Sequence, residues 1–260
     1  MKAVGGLMRL EIVFKTANSF IPINYQYMLC SFVYKRLKYT DENFASFLHE
    51  EGFNGFRMFT FSQLFFENSH VKNGSIIISE GKGKWYISSL SEDFIRNFFS
   101  SIIENPFIEL EGVLFNILQV RVLDEPKITD QMKFILISPL VVSIPVENQG
   151  KLSHKYLTPE DDFFQNAINA NLIKKYSAFF GKEISSKVYI QPDWNYIQRK
   201  GRITKLIQIK NTFVRGTVFP FLITGDPGLI KVGYEAGFGE KNSLGFGMVK
   251  VCRNDNNLNF

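Results

Sequence analysis

Lys231-Val-Gly-Tyr-Glu-Ala-Gly-Phe-Gly-Glu-Lys-Asn-Ser-Leu-Gly-Phe-Gly-Met-Val-Lys250 places glycines at 233, 237, 239, 245 and 247, near the end of a 260-residue chain. Glycine this dense marks backbone that takes positive φ or lets another group come close. A dinucleotide fingerprint would need glycine where Asn242 stands, and a helix after it. A Walker-type loop would need Gly-Lys-Ser/Thr, which is absent. Phe246 to Val251 reads instead as a closing strand. Two readings of the segment remain. One is a long glycine-rich turn ahead of that strand. The other is a backbone cradle in which amide N–H groups, with Lys231 or Lys241, meet the phosphates of a nucleic acid.

The charge pattern bears on that choice. The net charge is +5, with 12 basic and 14 acidic side chains in residues 1–125 but 12 and 6 in residues 181–260. Between Asp193 and Asp226 lie Arg199, Lys200, Arg202, Lys205, Lys210 and Arg215, with no acid among them. The run reads either as a solvated hairpin or as a phosphate-contacting surface beside the glycine segment. Trp194, Tyr196 and Phe213 lie close by as candidate stacking rings, though Phe213 reads equally well as buried.

Composition excludes other classes. Hydrophobic residues make up 45% of the chain, enough for a packed core. The two cysteines, Cys30 and Cys252, and three scattered histidines, His49, His70 and His154, offer no metal spacing, so no metal or other cofactor is expected. Cys30 reads as core, and His70 and His154 as exposed loop residues, His154 with an alternative place near RNA. The cysteine pattern suits a reducing cytoplasm. The most apolar run, Phe134 to Val146, is broken by Ser138, Pro139, Ser143 and Pro145, so no membrane span is expected. The first seven residues lack the core of a signal peptide, and Met8 is a candidate natural start.

Working back from the glycine segment, the periodicity predicts strands at Arg9–Lys15, Arg57–Phe61, Ser75–Ile78, Lys84–Ser88 and Met132–Ile137. Gly81-Lys-Gly83 is predicted as a turn between two strands, and Ile108–Leu123 as a hairpin around Glu111-Gly112. Helices are predicted at Tyr25–Tyr39, from Asp41 with that residue as cap, at Glu92–Glu104 and at Pro159–Phe180. In the second half, Val188–Gln191 is extended, Thr204–Ile223 is one long strand or a hairpin, and a short helix spans Gly228–Tyr234. The order in residues 8–126 is βαββαβ with an extra hairpin, and residues 127–260 repeat it loosely. The fold class is therefore α+β.

The spaced glycines, followed by Asn242-Ser-Leu-Gly-Phe-Gly247 and a short strand, resemble the C-terminal signature of the CRISPR-associated endoribonucleases that cut repeat RNA, members of the RAMP superfamily. Met8-Arg-Leu-Glu-Ile-Val-Phe14, Pro22-Ile-Asn-Tyr25, Leu48-His-Glu-Glu-Gly52 and Met58-Phe-Thr-Phe-Ser62 resemble the family's opening strand and first helices. The resemblance implies two tandem ferredoxin-like (RRM-like) domains and CRISPR repeat RNA as partner. It implies cleavage to guide RNAs without a metal, leaving 5′-hydroxyl and 2′,3′-cyclic phosphate ends. An association with a guide-RNA surveillance complex is a further expectation. DNA lacks the attacking 2′-hydroxyl and would not be cut.

That reaction needs a base, an acid and a cation facing the phosphorane. His49, at the end of a predicted helix, reads on sequence alone as a surface histidine or a proton carrier; the resemblance, through Leu48-His-Glu, makes it the catalyst. Tyr34 reads as an amphipathic tyrosine at the core's edge or, by resemblance, as a donor to the phosphate. Related enzymes often carry a lysine where Arg57 stands, and arginine binds phosphate without exchanging protons. The RNA-binding candidates are Arg199, Lys200, Arg202, Lys205, Lys231, Gly237, Gly239, Lys241, Gly245 and Gly247. Two rival readings are a family member that holds repeat RNA without cutting it, and a structural subunit of a guide-RNA complex.

Overall fold

Alternation along the first strand sets the N-terminal layer. In β1 (Arg9–Thr16), Leu10, Ile12 and Phe14 enter one core, while Arg9 and Glu11 turn to the opposite face. The computed structural model describes residues 8–148 and 150–252. After β1 come β2 (Ser19–Pro22), α1 (Gln26–Thr40), α2 (Glu42–Glu50), β3 (Phe59–Phe61), β4 (Phe65–Phe66), β5 (Ser69–Lys72), β6 (Ser75–Ile78), β7 (Gly81–Ser89), α3 (Glu92–Glu104), β8 (Phe107–Leu110) and β9 (Val113–Val122). The main sheet runs β3-β7-β1-β9-β8. Leu29, Val33 and Leu37 of α1, with Phe94, Phe98 and Ile102 of α3, cover one face against Trp85 and Ile87. This is the ferredoxin-like order with β8 added at the edge.

The second half continues with β10 (Gln131–Leu136), β11 (Ser143–Asn148), β12 (Lys151–Tyr156), α4 (Phe164–Phe180), β13 (Val188–Pro192), α5 (Trp194–Lys200), β14 (Thr204–Ile209), β15 (Thr212–Thr217), β16 (Pro220–Gly225), α6 (Pro227–Ala236) and β17 (Val249–Val251). Its sheet order, β13-β16-β10-β17, is again ferredoxin-like, and the hairpins β11–β12 and β14–β15 are insertions. The chain is thus two ferredoxin-like domains in tandem.

The structure differs from the sequence expectation at several places. Thr204–Ile223 is neither one strand nor one hairpin, since β14 and β15 pair with each other while β16 joins the central sheet of the second half. Gly81-Lys-Gly83 is no turn; it opens β7, where the absence of a side chain at Gly83 makes room for the Phe14 ring. β6 pairs with β2 and β5 in a separate small sheet. His70 and His154 lie exposed on β5 and β12, not on loops.

Polar side chains join the domains. Arg9 donates to the carbonyl oxygens of Val249, at 2.6 Å, and of Tyr234, and its guanidinium lies 3.8 Å from the Tyr234 ring centre. Ser88 Oγ donates to the Glu235 carbonyl at 2.8 Å. Phe53 and Phe179 close the far side with ring centres 5.0 Å apart. Among the described residues, no helix is long and apolar enough to cross a membrane.

Candidate functional site

Asp41 decides where α1 stops and α2 starts. Its N–H bonds back to Leu37, and its side chain accepts from the Phe44 N–H at 2.9 Å. The two helices are therefore joined by one residue, which brings Tyr34 of α1 and His49 of α2 side by side. Their ring centres are 5.6 Å apart and nearly perpendicular, at 84°. Tyr34 also packs edge-on against Phe59, 6.0 Å away in β3. His49 is exposed, on the last turn of α2.

Arg57 completes the cluster. Gly52, just past the end of α2, has a φ of 60° that suits the left-handed helix stop. Arg57 then reaches back, donating from one terminal nitrogen to the carbonyls of Glu51 (3.2 Å) and Gly55 (2.9 Å) and from the other to that of His49 (2.7 Å). Its positive charge also acts on the nearby Tyr34 hydroxyl. Burial pushes the Tyr34 phenol up to about 12, against the pull of Arg57. Tyr34 therefore keeps its proton at neutral pH, which suits it to donate a hydrogen bond and not to serve as a base.

The glycine segment lies against this cluster from the other domain. Its 3-10 turn, Asn242–Leu244, packs on α1 and β3, and Thr60 Oγ1 donates to the Phe246 carbonyl at 2.9 Å. Gly237, Gly239, Gly245 and Gly247 are all buried with positive φ. A Cβ on Gly239 would overlap the Val141 carbonyl oxygen, and Gly237 and Gly245 close on Thr60 and Phe61. The N–H groups of Gly245 and Gly247 already donate to Asn242 and Pro139. The expected phosphate cradle is corrected accordingly: the close approach these four glycines allow is to their own chain. Lys231 is corrected too, because Glu125 and Glu235 pair with it on α6, Glu125 at 2.5 Å. Lys241 is exposed at the start of the 3-10 turn.

A residue that sequence reading passed over holds the segment in place. Lys175 of α4 is 2% exposed. Its Nζ donates to the carbonyls of Gly237 and Gly239, both at 2.7 Å, and to Asn242 Oδ1 at 2.6 Å. Burial lowers its pKa to about 7, opposed by Glu240. The signal was present: Ile168, Leu172 and Lys175 share one helical stripe, so Lys175, unlike Lys174, faces inward.

The basic run forms one wall of an interdomain cleft. Lys200, Arg202 and Lys205 line it with Tyr196, Ile203 and Val218, facing Gln63 and Phe65 of the first domain across Ile135, Leu136 and Ile137. The cavity measures about 210 Å³. Arg199 is exposed on α5, outside the lining. Phe65 continues onto the open face of the first sheet, 6.2 Å from the Tyr86 ring. Phe213 is 56% exposed, so of its two readings the surface one holds. Among the described residues, no three His, Cys, Asp or Glu side chains gather as metal ligands would.

Comparison with known proteins agrees with this architecture. The chain has the tandem ferredoxin-like fold of RAMP proteins. A solved structure described as a Cas6-related gene product of Pyrococcus furiosus superposes with a TM-score of 0.84 at 27% identity, covering 96% of this chain and 100% of that one. Another, described as a RAMP protein binding different RNA substrates, gives 0.80 at 26% identity, over 95% and 100%. The family models for CRISPR-associated protein Cas6 match residues 20–121 (N-terminal) and 123–251 (C-terminal). A CRISPR-associated endoribonuclease Cas6 of Methanocaldococcus jannaschii is 34% identical over 97% of this chain and 96% of its own. The chain belongs to the Cas6 family.

Proposed function

We propose that this protein is an endoribonuclease that cuts CRISPR repeat RNA into guide units by internal transfer. The 2′-hydroxyl attacks the adjacent phosphorus, the 5′-oxygen leaves, and the ends are a 2′,3′-cyclic phosphate and a 5′-hydroxyl, with no metal required. The observation that carries this reading is the meeting of His49, Tyr34 and Arg57 at one exposed helix end. His49 is placed to move a proton at the 2′- or 5′-oxygen, since an imidazole suits either role near neutral pH. Tyr34, held protonated, donates to a phosphate oxygen. Arg57 spends three of its five N–H groups on backbone carbonyls. It therefore fixes the helix end and sets a positive charge beside Tyr34, while most of the N–H groups it could offer a phosphate are taken up by the chain itself. The cleft lined by Lys200, Arg202 and Lys205 holds RNA remote from the cut, and Lys241 adds a contact beside α1.

The relatives' names and the RNA-binding RAMP neighbour support repeat RNA as partner. A reducing cytoplasm suits the two free cysteines, and membership of a guide-RNA complex is compatible with the exposed open sheet. Arg57's commitment favours one alternative, a protein that holds repeat RNA and cuts it poorly. One experiment separates them: incubate the purified chain with its repeat RNA in EDTA and analyse the ends. Cyclic phosphate ends, lost when the nucleotide 5′ of the cut is 2′-deoxy, are expected. Activity restored only by Mg²⁺ or Mn²⁺ defeats the mechanism; tight binding without any cutting favours the holder.

A further inference from the structure

Lys210 occupies the turn between β14 and β15, and its Nζ lies 4.6 Å from the centre of the Tyr27 ring in the other domain. A second link holds the hairpin there: the Gln208 N–H donates to Asn24 Oδ1, just ahead of α1, at 3.1 Å. Beneath, Ile207 and Val214 pack with Val141 and Phe246, so the hairpin rests on the glycine segment. The hairpin tip is therefore fixed over the first turn of the helix that carries Tyr34.

Helix geometry aligns the two tyrosines. Residues seven apart fall on the same face two turns along, a rise of about 10.5 Å. Tyr27 and Tyr34 thus mark one edge of α1, with Cys30 between them close enough to feel the Lys210 charge. Tyr27 remains 37% exposed beside the ammonium. Among the described residues, no carboxylate lies within ion-pair distance of Lys210. A groove that shares Tyr27 but not Lys210 carries Glu109 and Glu111, whose charges repel phosphate. An RNA backbone passing Tyr27 is steered to the Lys210 side.

We propose that Tyr27 and Lys210 form a subsite for one nucleotide flanking the cut, Lys210 taking its phosphate and the Tyr27 ring its base. The strand then runs along α1 from this seat to the cluster of His49, Tyr34 and Arg57. The inference rests on that cluster being the cleavage site. A lysine ammonium is a point-charge phosphate ligand, and a tyrosine face stacks any base, so the seat fixes register more than sequence.

The test uses the full chain and synthetic repeat RNA made uncleavable by 2′-deoxy at the cut. Methylphosphonate or an abasic nucleotide is placed in turn at each position flanking the cut, and affinity is measured. The wild type loses roughly tenfold at one nucleotide within a few of the cut, the scale of one lost stack. Lys210→Gln abolishes the methylphosphonate penalty at that nucleotide alone, and Tyr27→Leu the abasic penalty there. Thermal melts confirm that both variants fold. A penalty pattern unchanged in both variants, or one altered only far from the cut, overturns the subsite. His49→Ala cutting at the wild-type rate sinks the cleavage-site reading; the footprint, measured on uncut RNA, still decides the subsite separately.

Discussion

At the scale of single residues, burial sets Lys175 and Glu235 in opposite directions. Lys175 is held near 7, below the ordinary 10.5, so the unfolded chain keeps a proton there that the folded chain has lost. Its contribution to stability is present above pH 10.5 and is lost as the pH falls through about 7. Glu235, buried among Lys231, Glu125 and Arg9, is raised by burial to about 7 from 4.5. Its contribution is present below pH 4.5 and is lost as the pH rises through about 7. The two together place a local minimum of stability near neutrality. Denaturant titrations should show stability climbing from pH 7 to 9 in the wild type and flattening in Lys175→Met. That variant should also lose about 1 kcal/mol or more at pH 9, because the acceptors at Gly237, Gly239 and Asn242 lose the two N–H groups that the uncharged amine still offers them. Equal pH slopes in the two proteins would remove Lys175 from the account. Lys175 was legible only as a position on a helical stripe. Which acceptors it meets depends on a loop 62 to 67 residues away in sequence, which local periodicity does not record.

At the scale of elements, the helices were the most legible parts. Amphipathic spacing placed α1 and α3 within a residue, and Asp41 announced the start of α2. Tyr34 and His49 meet because these two helices adjoin, a local consequence that sequence order reveals. The glycine segment was visible as a pattern but not in its orientation, since Thr60, Phe61 and Val141, which it packs on, lie about 100 to 180 residues earlier. The β6–β7 boundary was misread for a related reason: glycines that end a strand and glycines that admit a ring look alike in sequence. The packing yields a prediction. Gly239→Val forces a Cβ into the Val141 carbonyl and a branched side chain into positive φ. Stability should drop by roughly 2 to 4 kcal/mol, the cost of a clash and strain at a special backbone position. Any folded fraction, sorted by gel filtration, should keep the wild-type salt dependence of RNA binding. A Gly239→Val protein as stable as wild type but blind to RNA would restore the phosphate cradle.

At the scale of the whole molecule, two similar domains divide the work. The first carries the His49 cluster, and the second supplies positive charge and the loop that braces α1. The tandem fold was legible from element order and from the family-like C-terminal run; the interdomain cleft was not, because its walls come from segments near residues 63, 136 and 203. Reversing Lys200, Arg202 and Lys205 to Glu should weaken RNA binding and lower the log–log salt slope by about 0.7 for each lost phosphate contact. The same triple variant with an unchanged slope would place RNA elsewhere. The central claim is that one exposed histidine, set by the junction of α1 and α2, moves the protons of cleavage. Its most direct test is the single-turnover cleavage rate of His49→Ala on saturating repeat RNA in EDTA, beside its affinity for uncleavable RNA. The account predicts a fall of roughly 10²-fold or more in rate with affinity nearly unchanged; cleavage at the wild-type rate would contradict it.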